Sequence, residues 1–233
     1  MYIHLCFDML AYLISLYLFR RYFYRKVLLP QGESKWNYYT AVIVGFVSGA
    51  IGLSLLNARV SLDQWIAGKS ILGALFGAVV AVELFKRYHR ITGSTGAYFV
   101  PSLAIGIAIG RIGCFLTGLE DYTYGTPTNV PWGVDFGDGI ARHPVQLYES
   151  AAMLGFFLFS LWLYRCNRHY FETKVFYIFV FFYALQRFVW EFLKPYANVA
   201  LGLNLFQIVC IALILYAVIY LKRSRDFSPA VQS

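Results

Sequence analysis

Two arginines stand inside runs of sequence that are otherwise apolar. Arg111 lies in Gly110-Arg111-Ile112-Gly113, and Arg187 lies in the stretch from Tyr183 to Glu191. A guanidinium at mid-membrane depth costs about 3 to more than 10 kcal/mol. Each arginine sits about two-thirds of the way along its run, so the two reach about the same depth if both runs cross in the same direction. Two such charges at one height call for a shared polar cavity or an anion. Arginine suits phosphate, because its planar fork binds bidentately and never deprotonates. At that depth the commonest phosphate is that of a phospholipid. An ion pair made for packing is the alternative. Glu191 follows Arg187 by four residues on the same helix face, and Glu149 opens the next apolar run.

Tyr183, Arg187 and Glu191 are spaced i, i+4, i+8 and form one polar stripe that should face a bundle interior. Gly106, Gly110 and Gly113 around Arg111 let another backbone or a lipid headgroup come close, whereas Gly73 and Gly77 read as ordinary helix packing. A polar segment, Arg142-His143-Pro144-Val145-Gln146-Leu147-Tyr148-Glu149-Ser150, leads into the run after Arg111. Pro144 fits a helix entry. His143 is the one histidine close to the arginines in height; His4, His89 and His169 lie near other ends and read as interfacial. Cys6, Cys114, Cys166 and Cys210 form no CxxC pair and no metal-ligand spacing, so neither a disulfide framework nor a metal site is indicated. Cys114 reads as a small buried hydrophobe, with a nucleophile beside Arg111 as the alternative.

The elements that hold these residues follow from composition. Of the 233 residues, 59% are hydrophobic and only 14% charged, against about 25% charged in a soluble domain. Apolar runs of roughly twenty residues fall near 3–19, 38–57, 70–85, 98–118, 148–164, 175–193 and 203–221. The expectation is an all-α polytopic membrane protein of about seven transmembrane helices, a single integral membrane domain over 1–233. Continuous apolar runs exclude a β-barrel. The net charge of +8 marks topology rather than nucleic-acid binding. Fourteen Lys and Arg residues, from Arg20 to Arg225, flank one side of the runs, and four (Arg59, Lys69, Arg142, Lys194) flank the other. That asymmetry puts the N-terminus outside and the C-terminus in the cytoplasm. The first run ends in Arg20-Arg21 without a cleavage site and reads as a retained span. The longest connection, about 119–147, is then external, punctuated by Gly, Pro and Asx turns and rich enough in aromatics (Trp132, Phe136) to be ordered. Broken helices and internal repeats of the kind transporters use are not evident.

An ordered set of motifs carries a resemblance. Gly110-Arg-Ile-Gly113 with Phe115, Pro131-Trp132-Gly133, Arg142 through Glu149, Tyr183-x3-Arg187-x3-Glu191-Phe192, and Gly202-Leu203 with Gln207 resemble the prolipoprotein diacylglyceryl transferases over roughly 70–210. The resemblance implies seven spans in a bacterial plasma (inner) membrane and transfer of the diacylglyceryl group of phosphatidylglycerol to the thiol of a lipobox cysteine, with release of glycerol phosphate. Arg111 and Arg187 match the family's essential arginines, Tyr183 the tyrosine before the second, and Glu191 the acid after it. This chain reads Leu72-Gly73-Ala74 where the family has His-Gly-Gly, Cys114 where it has Asn, and Leu119-Glu120 near its glutamate.

The expected reaction is displacement at the glycerol carbon that bears the phosphate ester. Arg111 and Arg187 stabilise the departing phosphate, with Tyr183 or Tyr148 donating a hydrogen bond. The acceptor thiol needs a base, and with the family histidine absent this is His143 or Glu191. Gly110, Gly113, Arg142, Tyr148 and Glu149 are expected to line the lipid site. No cofactor or metal is called for. The partners are phosphatidylglycerol or a related phospholipid, the membrane and a lipoprotein precursor. The missing histidine leaves open a different acceptor, and also a non-catalytic phospholipid-binding protein derived from the family.

Overall fold

The computed structural model of the chain describes residues 2–28, 33–63, 65 and 68–223; Arg225 of the basic flank lies outside them. Seven α-helices carry these residues: α1 (Tyr2–Leu18), α2 (Glu33–Leu62), α3 (Ile71–Tyr88), α4 (Val100–Thr117), α5 (Val145–Cys166), α6 (Arg168–Glu191) and α7 (Leu205–Arg223). Each coincides with an apolar run expected from the sequence. α2 has 30 residues and so spans about 45 Å, longer than a hydrocarbon core of about 30 Å. Five helices (α1, α2, α4, α5 and α7) are long and apolar enough to cross a membrane. α3 carries Glu83, Lys86 and Arg87, and α6 carries Arg187 and Glu191, and these charges lower their hydropathy.

Local chemistry sets the helix ends. The Ser70 hydroxyl caps α3 by accepting from the Gly73 amide at 3.1 Å, and Asn167 Oδ1 caps α6 by accepting from the Tyr170 amide at 2.9 Å. Pro101 occupies the first turn of α4, where no amide hydrogen is needed. Asn204 and Gln207 form a reciprocal capping box on α7, each side chain accepting the other's amide at 2.9 Å. Gln207, one of the family-like positions, thus has a structural task.

Two antiparallel hairpins depart from the all-helical expectation. β1 (Val134–Asp135) pairs with β2 (Ala141–Arg142) inside the 119–147 connection, and β3 (Asn198–Ala200) pairs with β4 (Leu203–Asn204) before α7. The first is turned by Asp135, whose Oδ1 accepts from the amides of Gly137, Asp138 and Gly139.

The described residues group into two compact units: one from Met1–Lys26, Tyr98–Phe171 and Leu185–Pro195, the other from Val27–Ala97, Glu172–Ala184 and Tyr196–Ser233. In the first, α1 and α4 run antiparallel, with Phe7 against Gly113 and Ser15 against Gly106; α5 packs on α4, where Ser150 donates to the Ala108 carbonyl at 2.8 Å. In the second, α2 and α3 form an antiparallel pair. Their backbones meet at Gly45 and Gly49 on one side and Gly73 and Gly77 on the other, where an added Cβ would strike a facing carbonyl. The expected packing role of Gly73 and Gly77 holds.

Gly77→Leu should force α2 and α3 apart and cost about 1–3 kcal/mol. Gly52→Leu is the control, because nothing lies within 4 Å of its Cβ position. Thermal unfolding in detergent should show a lowered midpoint for the first and little change for the second.

Candidate functional site

α4 and α5 each deliver one charged side chain, and α6 two, to a common point in the first unit. Glu149, from the first turns of α5, is the centre. Its Oε2 lies 2.5 Å from Arg111 Nε. Its Oε1 accepts from Arg187 Nη1 at 2.7 Å and from Lys194 Nζ at 2.7 Å. Glu191, one turn after Arg187, completes the group: its Oε1 is 2.6 Å from Arg187 Nε and 3.6 Å from Lys194 Nζ. All five residues are buried, from 1% relative exposure at Glu149 to 6% at Arg111.

The ion pairs foreseen as the alternative to an anion site are therefore present, but their stoichiometry is uneven. Three cations share two carboxylates, so the five groups carry a net charge of +1. A buried excess charge is costly in a low dielectric and is relieved by an anion. Beside the cluster, Gln146 is fully buried on α5, one turn before Glu149, and neither its Oε1 nor its Nε2 has a hydrogen-bond partner among the described residues. A buried amide of this kind is suited to ligand hydroxyls or water.

The sequence matches the family model for prolipoprotein diacylglyceryl transferase over residues 5–223. The chain belongs to the prolipoprotein diacylglyceryl transferase family. Relatives named phosphatidylglycerol–prolipoprotein diacylglyceryl transferase include those of Bordetella parapertussis (35% identical over 65% of this chain and 59% of the relative), Clostridium tetani (32%, over 75% and 78%) and Nitratidesulfovibrio vulgaris (33%, over 84% and 79%). The match thus spans 59% of the length of the Bordetella protein.

Among the residues that this family's pattern selects, the structure unites Arg111, Arg187, Glu149 and Glu191. Tyr183 is buried one turn before Arg187 on α6 and lies with its ring stacked on Phe179 at 6.2 Å. Gly110 has no neighbour within 4 Å of its Cβ position, whereas Gly113 is taken by Phe7 of α1, so its small size serves helix packing rather than a headgroup. Arg142 is engaged elsewhere: it makes a bidentate pair with Asp138, both contacts 2.7 Å, and stacks over Tyr124. These hydrogen bonds hold the Asp138 carboxyl below the usual range. His143 and Tyr148 form a separate polar group, with His143 Nδ1 3.4 Å from the Tyr148 hydroxyl, which accepts from Trp132 Nε1 at 2.6 Å.

The connection that carries these residues is tied down beside the cluster. The Thr126 amide donates to the Leu193 carbonyl at 2.7 Å, and the His143 amide to the Thr126 carbonyl at 3.1 Å. Two members escaped the sequence reading. Lys194 reads from the sequence as a flanking topology charge, yet it continues the Tyr183–Arg187–Glu191 stripe by a further i+3 step. Gln146 stands one turn from Glu149 on the same face, but burial of an amide leaves no mark in the sequence.

Glu149→Gln should leave three cations facing one carboxylate. A loss of about 3–5 kcal/mol is expected, the range for breaking a buried pair by removing one partner, seen as a lowered unfolding midpoint in detergent. Asp138→Asn, on the exposed loop, should leave that midpoint unchanged.

Proposed function

We propose that this chain is a phospholipid-dependent transferase that moves a diacylglyceryl group from phosphatidylglycerol to an acceptor thiol. The observation that carries the reading is the convergence of Arg111, Arg187 and Lys194 on Glu149 and Glu191, three cations against two carboxylates. A phosphodiester headgroup supplies the missing negative charge. As the bond from the glycerol carbon to the ester oxygen breaks, that oxygen gains charge, and fixed guanidinium groups stabilise it without reorganising. Glu149 and Glu191 hold both forks in place beforehand. The thiolate attacks the same carbon, and glycerol phosphate departs. The printed names of the relatives describe this donor and a prolipoprotein acceptor, and the lipobox thiol is the acceptor proposed for this chain.

The proposed setting is a bacterial inner membrane, with all seven helices crossing and the N-terminus outside. The fourteen-to-four division of basic residues supports it, and so does the antiparallel run of α1 against α4. The cluster then lies in the outer half of the bilayer, beside the ordered connection over 119–147. A non-catalytic lipid-binding role is the second reading, favoured by Leu72-Gly73-Ala74 at the position of the family histidine.

Purified protein given radiolabelled phosphatidylglycerol and a lipobox peptide should release glycerol phosphate. Saturable lipid binding without release would support the second reading instead. Arg111→Lys should lower release about a hundredfold while the protein still inserts, because lysine cannot present the fork. If His143 is the base, His143→Ala should lower the rate and remove the rising limb of the pH profile; an unchanged profile assigns the proton transfer to Glu191 or another group.

A further inference from the structure

The N-terminal end of α1 meets the C-terminal end of α4, and three different ligand types converge there. His4 Nε2 lies 3.7 Å from Cys114 Sγ and 3.1 Å from Asp121 Oδ1. One donor atom from each of the three lies within 4.8 Å of the others. A tetrahedral zinc ion has bonds of about 2.3 Å to sulfur and about 2.0–2.2 Å to nitrogen and oxygen, which sets sulfur and nitrogen about 3.5 Å apart and nitrogen and oxygen about 3.4 Å apart. The two separations at His4 bracket these values.

The surroundings orient each ligand as a metal would require. Asp8 Oδ2 is 3.2 Å from His4 Nδ1, so Asp8 can accept a proton from that nitrogen, and Nε2 is the ring atom that faces Cys114 and Asp121. Thr123 donates its hydroxyl to Asp121 Oδ2, which leaves Oδ1 directed at the centre. Cys114 is buried, and the His4 and Asp121 side chains are 32% and 13% exposed, a path by which an ion can enter.

We propose that His4 Nε2, Cys114 Sγ and Asp121 Oδ1 bind a divalent cation of the zinc class, with water in the fourth position. Cys114 binds as the thiolate, and its proton passes to solvent on binding. The ion pins the first turn of α1 to the last turn of α4. The proposal stands independently of the transferase reading. The competing arrangement is an imidazolium that donates to both Asp8 and Asp121, with the thiol a bystander.

The test uses the full chain in detergent, purified without a polyhistidine tag, stripped of metal and titrated with Co²⁺. One Co²⁺ per chain is expected, with tetrahedral ligand-field bands and a thiolate-to-cobalt charge-transfer band. Cys114→Ser should abolish the charge-transfer band although Cys6, Cys166 and Cys210 remain. His4→Ala should weaken binding by more than tenfold, and Asp8→Asn about tenfold. Gel filtration of the metal-free variants shows that they are folded, and Asp8→Asn, which removes no ligand, provides a graded readout should a ligand variant fail. Absence of stoichiometric binding by the native chain, a charge-transfer band that survives Cys114→Ser, or unchanged affinity in His4→Ala would each overturn the site in favour of the imidazolium.

Discussion

One carboxylate organises the first unit. Glu149 accepts from side chains that arrive on α4, on α6 and just beyond α6, so three segments far apart in sequence are fixed against one another at a single buried point. Arg111 and Arg187 would each be costly alone in an apolar setting, and so would Glu149. Together they satisfy one another, and the pairing sets the rotation of three helices about their axes. The uneven count of charges is what separates this arrangement from a neutral structural pair. A balanced pair is complete in itself, whereas these five side chains count three cations against two carboxylates.

The helices were legible in the sequence because continuous apolar runs have one common reading in a membrane chain. All seven runs became helices, and the small residues of α2 and α3 meet as their spacing implies. The arginines and both carboxylates were legible for a related reason: charges inside such runs demand partners, and helical spacing named Glu191 directly. Arg142 and His143 show where that reasoning stops. They neighbour Glu149 in sequence, but the β1–β2 hairpin directs the Arg142 guanidinium to Asp138, and His143 pairs with Tyr148. A tight turn made by Asp135 decides this, and turn geometry acts over three or four residues without leaving a periodic signal.

The partners of Lys194 and His4 are not legible for the opposite reason. Each lies near the end of an apolar run, where basic and imidazole side chains usually reach solvent or lipid headgroups. The chain after α6 instead turns Lys194 back under the helix end, its amide bonded to the Glu191 carbonyl at 3.2 Å. His4 is drawn to Asp121 and Cys114 by the packing of α1 on α4, a contact between residues more than a hundred positions apart. No local pattern encodes such a meeting.

The C-terminal half of α4 joins the two chemistries. Arg111 and Cys114 are three residues apart on it, with Arg111 Nη1 4.0 Å from the Cys114 sulfur. α4 offers the Arg111 guanidinium to Glu149 and the adjacent Cys114 thiol to His4. Only the second depends on how closely α1 approaches, and Gly113 sets that approach, since a Cβ there would lie 2.5 Å from Cβ of Phe7. A larger residue at 113 would push α1 outward and carry His4 away from Cys114, while Arg111 would keep its hold on Glu149 through α5. The family's Gly-Arg-x-Gly spacing thus has two separable physical roles in this chain: the arginine belongs to the charge cluster, and the second glycine belongs to the seam between α1 and α4.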